Sequence, residues 1–383
     1  MGVYERLGLR PIINANATLT VLGGSLMPEP VLDAMREAAG SFVDIHELQH
    51  AVSARIAELT HNEAAFVCSG AAAGLVLSTL ACMTGTDLDE VERFTSEGPG
   101  ALTRNEVIVH ASHRNPYDPA IRLAGARIYQ IGNVWQTFDS ELRAAINGRT
   151  AAVFYFAGNP ARAHGALPLE AVIAIAHEAH VPVVVDAAAQ LPPVENLWHF
   201  TQQGADLVVF SGGKGLRGPQ ASGLILGRRQ LIDACALHSS PYQRLARPMK
   251  AGKEEMVGLM AAVEWYIGLD QAELRARAEK VTSYWVALFN RLTGVSATRE
   301  FPSEAGQALP RVRVRFDEPV QLTGEAARLD LLGGDPPISV AVADESSIYL
   351  NPETLKPDEE VIVARRLTEI IRNATPTGAL DQK

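Results

Sequence analysis

Apolar and polar residues alternate along this chain in blocks. Short apolar runs at residues 65–68, 107–110, 126–131, 151–155, 181–185, 207–210 and 222–226 have the length of buried strands. Stretches at 70–83, 139–146 and 169–179 space their apolar residues as helices do. Strands alternating with helices predict a mostly parallel sheet covered by helices on both faces. The pattern changes after about residue 250. Residues 253–292 read as one long helical region, 338–343 as a strand and 357–372 as a closing helix. Residues 311–316 alternate with period two, which belongs to a sheet with one wet face. The expected organisation is an arm over 1–45, a large α/β domain over 46–245 and a smaller α+β domain over 246–383.

Composition narrows the class. At 383 residues the chain can build two domains and a large core. Its 34 basic and 44 acidic residues give a net charge of −10, which argues against a nucleic-acid partner. Cys68, Cys82 and Cys235 follow no paired spacing and suit a reducing, cytoplasmic setting. The first residues lack the apolar core of a signal peptide. The most apolar stretch, 71–83, is too short to span a bilayer, so no membrane association is expected.

The chemistry concentrates on two strand ends. The run 207–210 leads into Ser211-Gly-Gly-Lys214, which puts a single lysine on a glycine-rich turn. A lysine just past a buried strand loses hydration, and an uncharged amine is a nucleophile toward carbonyls. A second apolar strand, 181–185, runs straight into Asp186. A strand ending in Asp, followed by one ending in Ser-x-x-Lys, meets the needs of pyridoxal 5′-phosphate (PLP). The lysine forms a Schiff base and the carboxylate pairs with the pyridinium nitrogen. A surface lysine and a helix-capping Asp are the ordinary roles for such residues taken singly. A phosphate-binding P-loop does not fit, because Gly215 follows Lys214 where Ser or Thr is required.

Other positions gain meaning beside that pair. Ser69, Gly70 and Ala71 follow one strand and open a helix, where free backbone N–H groups can cradle a phosphate. His113, or else His110, lies just beyond another strand and could stack on the cofactor ring and relay protons. Arg247, Lys250 and Lys253 form a basic cluster able to hold an anionic substrate group. His46-Glu-Leu-Gln-His50 matches a zinc-hydrolase signature, with Glu47 as its base, but no third ligand follows at the spacing required. No metal is expected.

Together the segments 42–45, 69–73, 185–193, 211–220 and 249–255 resemble the selenocysteine synthase-like (SelA-like) family of fold-type I PLP enzymes. That family includes D-glucosaminate-6-phosphate ammonia lyase. The resemblance runs from residue 11 to about 269 and more weakly to the end; it also accounts for residues 42–48, which contain part of the zinc-like motif. It implies an aspartate aminotransferase-like fold. Lys214 becomes the Schiff-base lysine, Asp186 the pyridinium partner and His113 the ring stacker. Ser69, Gly70, Ala71 and Ser211 become phosphate contacts, with Ala188 and Gln190 also at the cofactor. Arg247 and Lys250 fall where selenocysteine synthase carries anion-binding arginines, so the lysine at 250 is a departure. A second departure is Asn16-Ala-Thr near the start, and no N-terminal domain that would grip tRNA is apparent. The implied assembly is a homodimer or larger homo-oligomer with shared active sites. The implied reaction passes through a quinonoid intermediate on a small polar amino acid. The favoured outcome is α,β-elimination to a 2-oxo acid and ammonia. Racemisation and transamination are the alternatives within the family, and a non-catalytic PLP-fold protein is the alternative outside enzymology.

Overall fold

The computed structural model describes residues 2–158 and 164–376. These form two compact units, one of residues 25–269 with 305–307 and the other of 1–24 with 270–304 and 308–383.

The larger unit is built on seven strands: β1 (Ala64–Cys68), β2 (Glu106–His110), β3 (Arg127–Ile131), β4 (Thr150–Phe156), β5 (Val183–Asp186), β6 (Leu207–Ser211) and β7 (Gly223–Gly227). Their order across the sheet is β1-β7-β6-β5-β4-β2-β3. Only β7 runs against its neighbours; the other pairings are parallel. Parallel strands buried on both faces need continuous apolar runs, which is what β4, β5 and β6 carry. Val183 and Val185 enter one core while Val184 enters the core on the opposite face. Both faces are therefore dry. The fold is that of fold-type I, aspartate aminotransferase-like enzymes.

Four helices of this unit bear on the site: α1 (Glu29–Ala39), α2 (Ile45–Leu59), α3 (Ala71–Thr84) and α4 (Lys253–Ile267). Small residues let α3 lie close to the sheet. A Cβ at Gly74 would stand 2.6 Å from a methyl of Val209. Gly258 of α4 similarly leaves room for Met35 of α1 and for Pro219.

The smaller unit holds β8 (Val295–Glu300), β9 (Arg311–Phe316), β10 (Ala341–Asp344) and β11 (Ser347–Leu350), in antiparallel order β10-β11-β9-β8. On β9, Val312, Val314 and Phe316 are buried while Arg315 is exposed, as period-two alternation predicts.

Three details differ from the pattern-based reading. The long helical region is two helices, because Gly268 ends α4 and Asp270 caps a new helix by accepting from the amides of Ala272 and Glu273. Residues 338–343 divide likewise: Ile338–Ser339 pairs in parallel with Ile13–Asn14, and the chain then enters β10. The units also change over at other places than the sequence suggests. Residues 1–24 join the smaller unit, and α4 belongs to the larger one through its packing on α1 and α2. Among the described residues no single helix is long and apolar enough to cross a membrane.

Candidate functional site

Ligands of open parallel sheets bind beyond the carboxyl ends of the strands, where several loops converge. Here β1, β2, β4, β5 and β6 all end at one edge, and antiparallel β7 begins there. The strand register brings the chemistry into rows. Cys68 and Ser211 both pair with Gly223, so the loops that follow β1 and β6 rise side by side. Phe156, Asp186 and Val209 form a neighbouring row.

Ser69 leaves β1, and Gly70 caps α3 with φ near 151°, a conformation open to glycine. No side chain caps this helix, so its first N–H groups remain available to an anion. The Ser69 amide donates to the carbonyl of Met249, which draws the turn Arg247–Met249 against the start of α3. A Cβ at position 223 would lie 2.3 Å from the carbonyl carbon of Gly70, so glycine is required for β7 to pass beneath this turn.

Asp186 ends β5 as the sheet becomes accessible. Burial raises its pKa; a hydrogen bond from the Ala188 amide to Oδ1 (2.9 Å) and the nearby charge of Lys214 act in the opposite sense. Asp186 pairs with Val209, and β6 ends two residues later at Ser211, so the turn that carries Lys214 starts beside the end of β5. Ser211 begins the lysine turn, and its amide lies against the carbonyl of Ala188 at 3.3 Å. Cβ atoms at Gly212, Gly213 and Gly215 would strike Ser222, Gln220 and Leu191 respectively. Ser25 fastens the turn from outside, since both its amide and its hydroxyl donate to the carbonyl of Gly213 at 3.0 Å.

His113 ends the short 3-10 turn after β2 and is buried. Its Nδ1 accepts the Phe156 amide, and the Tyr155 ring meets it edge-on with centroids 4.6 Å apart. His110 lies behind it, fully buried. Burial holds the His110 pKa down to about 4. Burial and then His110 hold that of His113 down to about 3.

The remaining candidates are placed as follows. Gln190 directs its side-chain amide to the carbonyl of Ala305 at 2.7 Å, so that N–H is occupied by the chain itself. Arg247 donates to the Ser240 hydroxyl at 3.0 Å, and Lys250 is exposed. Lys253 bonds the Ala38 carbonyl and Glu254. His46 and His50 stand on α2, with His46 edge-on to Tyr242. No group of three or more metal-ligating side chains occurs among the described residues.

This arrangement fits PLP by its own chemistry. A desolvated carboxyl with one backbone donor suits a protonated ring nitrogen, an uncapped helix start suits a phosphate, and a lysine amine coupled to the carboxyl suits the aldehyde. Sequence reasoning missed the supporting groups: the Phe156 amide, Tyr155, the Met249 carbonyl, Ser25 and Gly223. Most act through backbone atoms, which leave no mark on residue type. Gly223 alone carried a signal, as a glycine at the start of a strand.

Known proteins share the whole chain. A family model described as "SelA: L-seryl-tRNA selenium transferase" matches residues 12–283. A 5'-C-glycyluridine monooxygenase-decarboxylase from Streptomyces sp is 34% identical over a 394-residue alignment, covering 99% of this chain and 95% of that protein. A D-glucosaminate-6-phosphate ammonia lyase from Salmonella typhimurium (strain 14028s / SGSC 2262) is 32% identical, covering 97% and 98%. A solved structure of a D-glucosaminate-6-phosphate ammonia lyase superposes with a TM-score of 0.82, covering 98% of this chain and 99% of that one.

The buried histidines make stability depend on acid. His110, His113 and His238 are all held well below the ordinary histidine value, with His238 also near 4 through burial and Arg244. Between about pH 6.5 and 4 the unfolded chain binds protons that the folded one refuses. Stability is therefore full above that window and lost as pH falls through it. Each such histidine adds a slope of up to about 1.4 kcal/mol per pH unit. Urea unfolding of His238→Gln across this range is expected to show a shallower slope than the parent chain; an equal slope would place the loss elsewhere.

Proposed function

This chain belongs to the SelA family, and from that premise we propose that it is a lyase that releases ammonia from a small polar amino acid. It is a PLP-dependent enzyme of fold-type I. The observation that carries the reading is that β5, ending in Asp186, and β6, leading into the Lys214 turn, are adjacent and parallel, with the uncapped start of α3 at the same edge.

Bound PLP supplies an electron sink for a bond broken at the substrate α-carbon. The chain's own residues supply the rest. Lys214 would hold the cofactor and then, once freed, move a proton at the α-carbon through Nζ. Asp186 would keep the ring nitrogen protonated. Ser69, Gly70, Ala71 and Ser211 would bind the phosphate, and Ala188, on the loop that follows Asp186, would lie along the ring. Arg247, with Lys250, would meet an acidic group of the substrate. This role for Arg247 is supported by the Ser69–Met249 bond, which ties its turn to the cofactor side of the sheet. The net charge of −10 weighs against a tRNA substrate.

Elimination from a β-hydroxy amino acid balances simply. The α-proton and the β-hydroxyl leave as water, and hydrolysis of the resulting enamine takes water back, giving a 2-oxo acid and ammonia. The 32% identity to an ammonia lyase supports this outcome. A second reading, oxygen-dependent decarboxylation, is supported by the 34% identity to a monooxygenase-decarboxylase. There carbon dioxide leaves the α-carbon in place of the proton, and molecular oxygen takes up the electron pair left behind: one oxygen atom stays on that carbon, giving an amide, and the other leaves as water.

One assay separates the two. Holoenzyme is offered a panel of L- and D-amino acids bearing β-hydroxyl or acidic groups, with and without oxygen. The lyase reading predicts ammonia and a 2-oxo acid in equal amounts without oxygen. Carbon dioxide release that stops when oxygen is removed would replace it with the second reading. On the substrate found, Arg247→Ala is expected to raise KM about 10- to 150-fold, the worth of one charge-assisted contact. Unchanged KM in both Arg247→Ala and Lys250→Ala would return this segment to an ordinary surface role.

We also propose a homodimer. Phe42 is fully exposed and its neighbour Val43 half exposed, apolar surface that a partner would cover. Light scattering is expected to give twice the chain mass, and Phe42→Asp to shift it toward one. A monomeric parent chain would contradict the assembly.

A further inference from the structure

The edge that holds the cofactor residues carries two histidines whose ring nitrogens have different freedom. His113 is 4% exposed, and its Nδ1 accepts the Phe156 amide at 3.3 Å. A ring nitrogen that accepts a hydrogen bond carries no proton, so the proton of the neutral ring sits on Nε2. The donor belongs to the strand residue paired with Asp186, so the lock on His113 is part of the same edge.

The ring is also held from its sides. Tyr155 meets it at 86° with centroids 4.6 Å apart, and His110 at 64° with centroids 5.1 Å apart. Tyr155 and His110 also touch each other edge-on, at 6.2 Å. His110 is fully buried, and among the described residues neither of its ring nitrogens has a hydrogen-bond partner.

We propose that His113 serves the site as a neutral hydrogen-bond donor through Nε2, its tautomer fixed by the Phe156 amide and its ring fixed by His110 and Tyr155, rather than as the acid–base group. The inference rests on the PLP reading of the site. To act as a base, an imidazole needs a free lone pair. The one lone pair here is on Nδ1, and the Phe156 amide already uses it. To act as a cationic acid, the ring would have to carry a proton on Nδ1 as well. That proton would point at the Phe156 N–H and break the bond. Burial and the neighbouring His110 resist the same charge, holding the pKa near 3. What remains is one N–H that suits an anionic oxygen of cofactor or substrate. Proton transfer at the α-carbon then falls to Lys214.

The test begins with the protein stripped of cofactor and labelled with 15N-histidine. A two-bond proton–nitrogen correlation spectrum at neutral pH, with His113 assigned by loss of its signals in His113→Gln, is expected to show a protonated Nε2 and a bare Nδ1. After PLP is added the same tautomer is expected, with the His113 chemical shifts moved by the bound cofactor. A protonated Nδ1 in either state would overturn the proposal. Two variants give a second readout. His113→Gln keeps an N–H near the Nε2 position and is expected to hold turnover within about tenfold of the parent, with the pH profile of kcat/KM unchanged. His113→Phe keeps a ring without a donor and is expected to lose roughly 10- to 150-fold. Equal losses in both variants, with one limb of the pH profile gone, would make His113 an acid–base group and overturn the proposal. Failure of the PLP reading is distinguishable: the stripped protein would show the expected tautomer, yet its spectra would not change on adding PLP.

Discussion

Asp186 is a half-buried carboxyl at the end of a buried strand, with one backbone donor on Oδ1. One backbone N–H and the charge of Lys214 oppose the burial that raises its pKa. Leaving a buried carboxylate short of partners costs free energy, and a cation supplied from outside removes that cost. A protonated ring nitrogen is such a cation. On this view the rest of the edge exists to keep Asp186, at the end of β5, and Lys214, on the turn after β6, at fixed places. This pair is also ordered by the sheet itself: β5 and β6 are adjacent and parallel, so their carboxyl ends stand together.

The groups that maintain the arrangement are mostly backbone. The lysine turn is compact because Gly212, Gly213 and Gly215 have no Cβ to strike their neighbours, and Ser25 ties its carbonyl down. The start of α3 depends on Gly223 passing beneath Gly70 and on Met249 holding the Ser69 amide. The histidine side depends on the Phe156 amide. Each contact links a loop to the next strand's end, so local errors at one loop are felt at its neighbour.

Much of this was legible in the sequence. The strands of the large sheet follow from short apolar runs bounded by turn residues, and burial on both faces explains why those of the inner strands are continuous; the edge strand β3 is largely exposed and mixes polar with apolar residues. Asp186 stood out because it ends such a run, and Lys214 because it stands on the glycine turn just after one. The division into units was less legible, since α4 and the helix after it read as one helical region and only the packing of α4 on α1 and α2 assigns it. The break at Gly268–Asp270 carried a signal, a glycine followed by a capping Asp, that length alone obscured. Between His110 and His113 the sequence could not choose, because both follow the same strand. Geometry separates them: one ring is locked by an amide, and the other is packed behind it without partners.

The central claim is that the amine of Lys214 and the carboxyl of Asp186 form one PLP site. Its most direct test is reduction of the holoenzyme with borohydride, followed by proteolysis and mass mapping of the modified peptide. The account predicts a single phosphopyridoxyl group, on Lys214, with labelling abolished in Lys214→Ala and weakened by lowered cofactor affinity in Asp186→Ala. Stoichiometric labelling on another lysine, or undiminished visible absorbance of the bound cofactor in a folded Lys214→Ala protein, would contradict it.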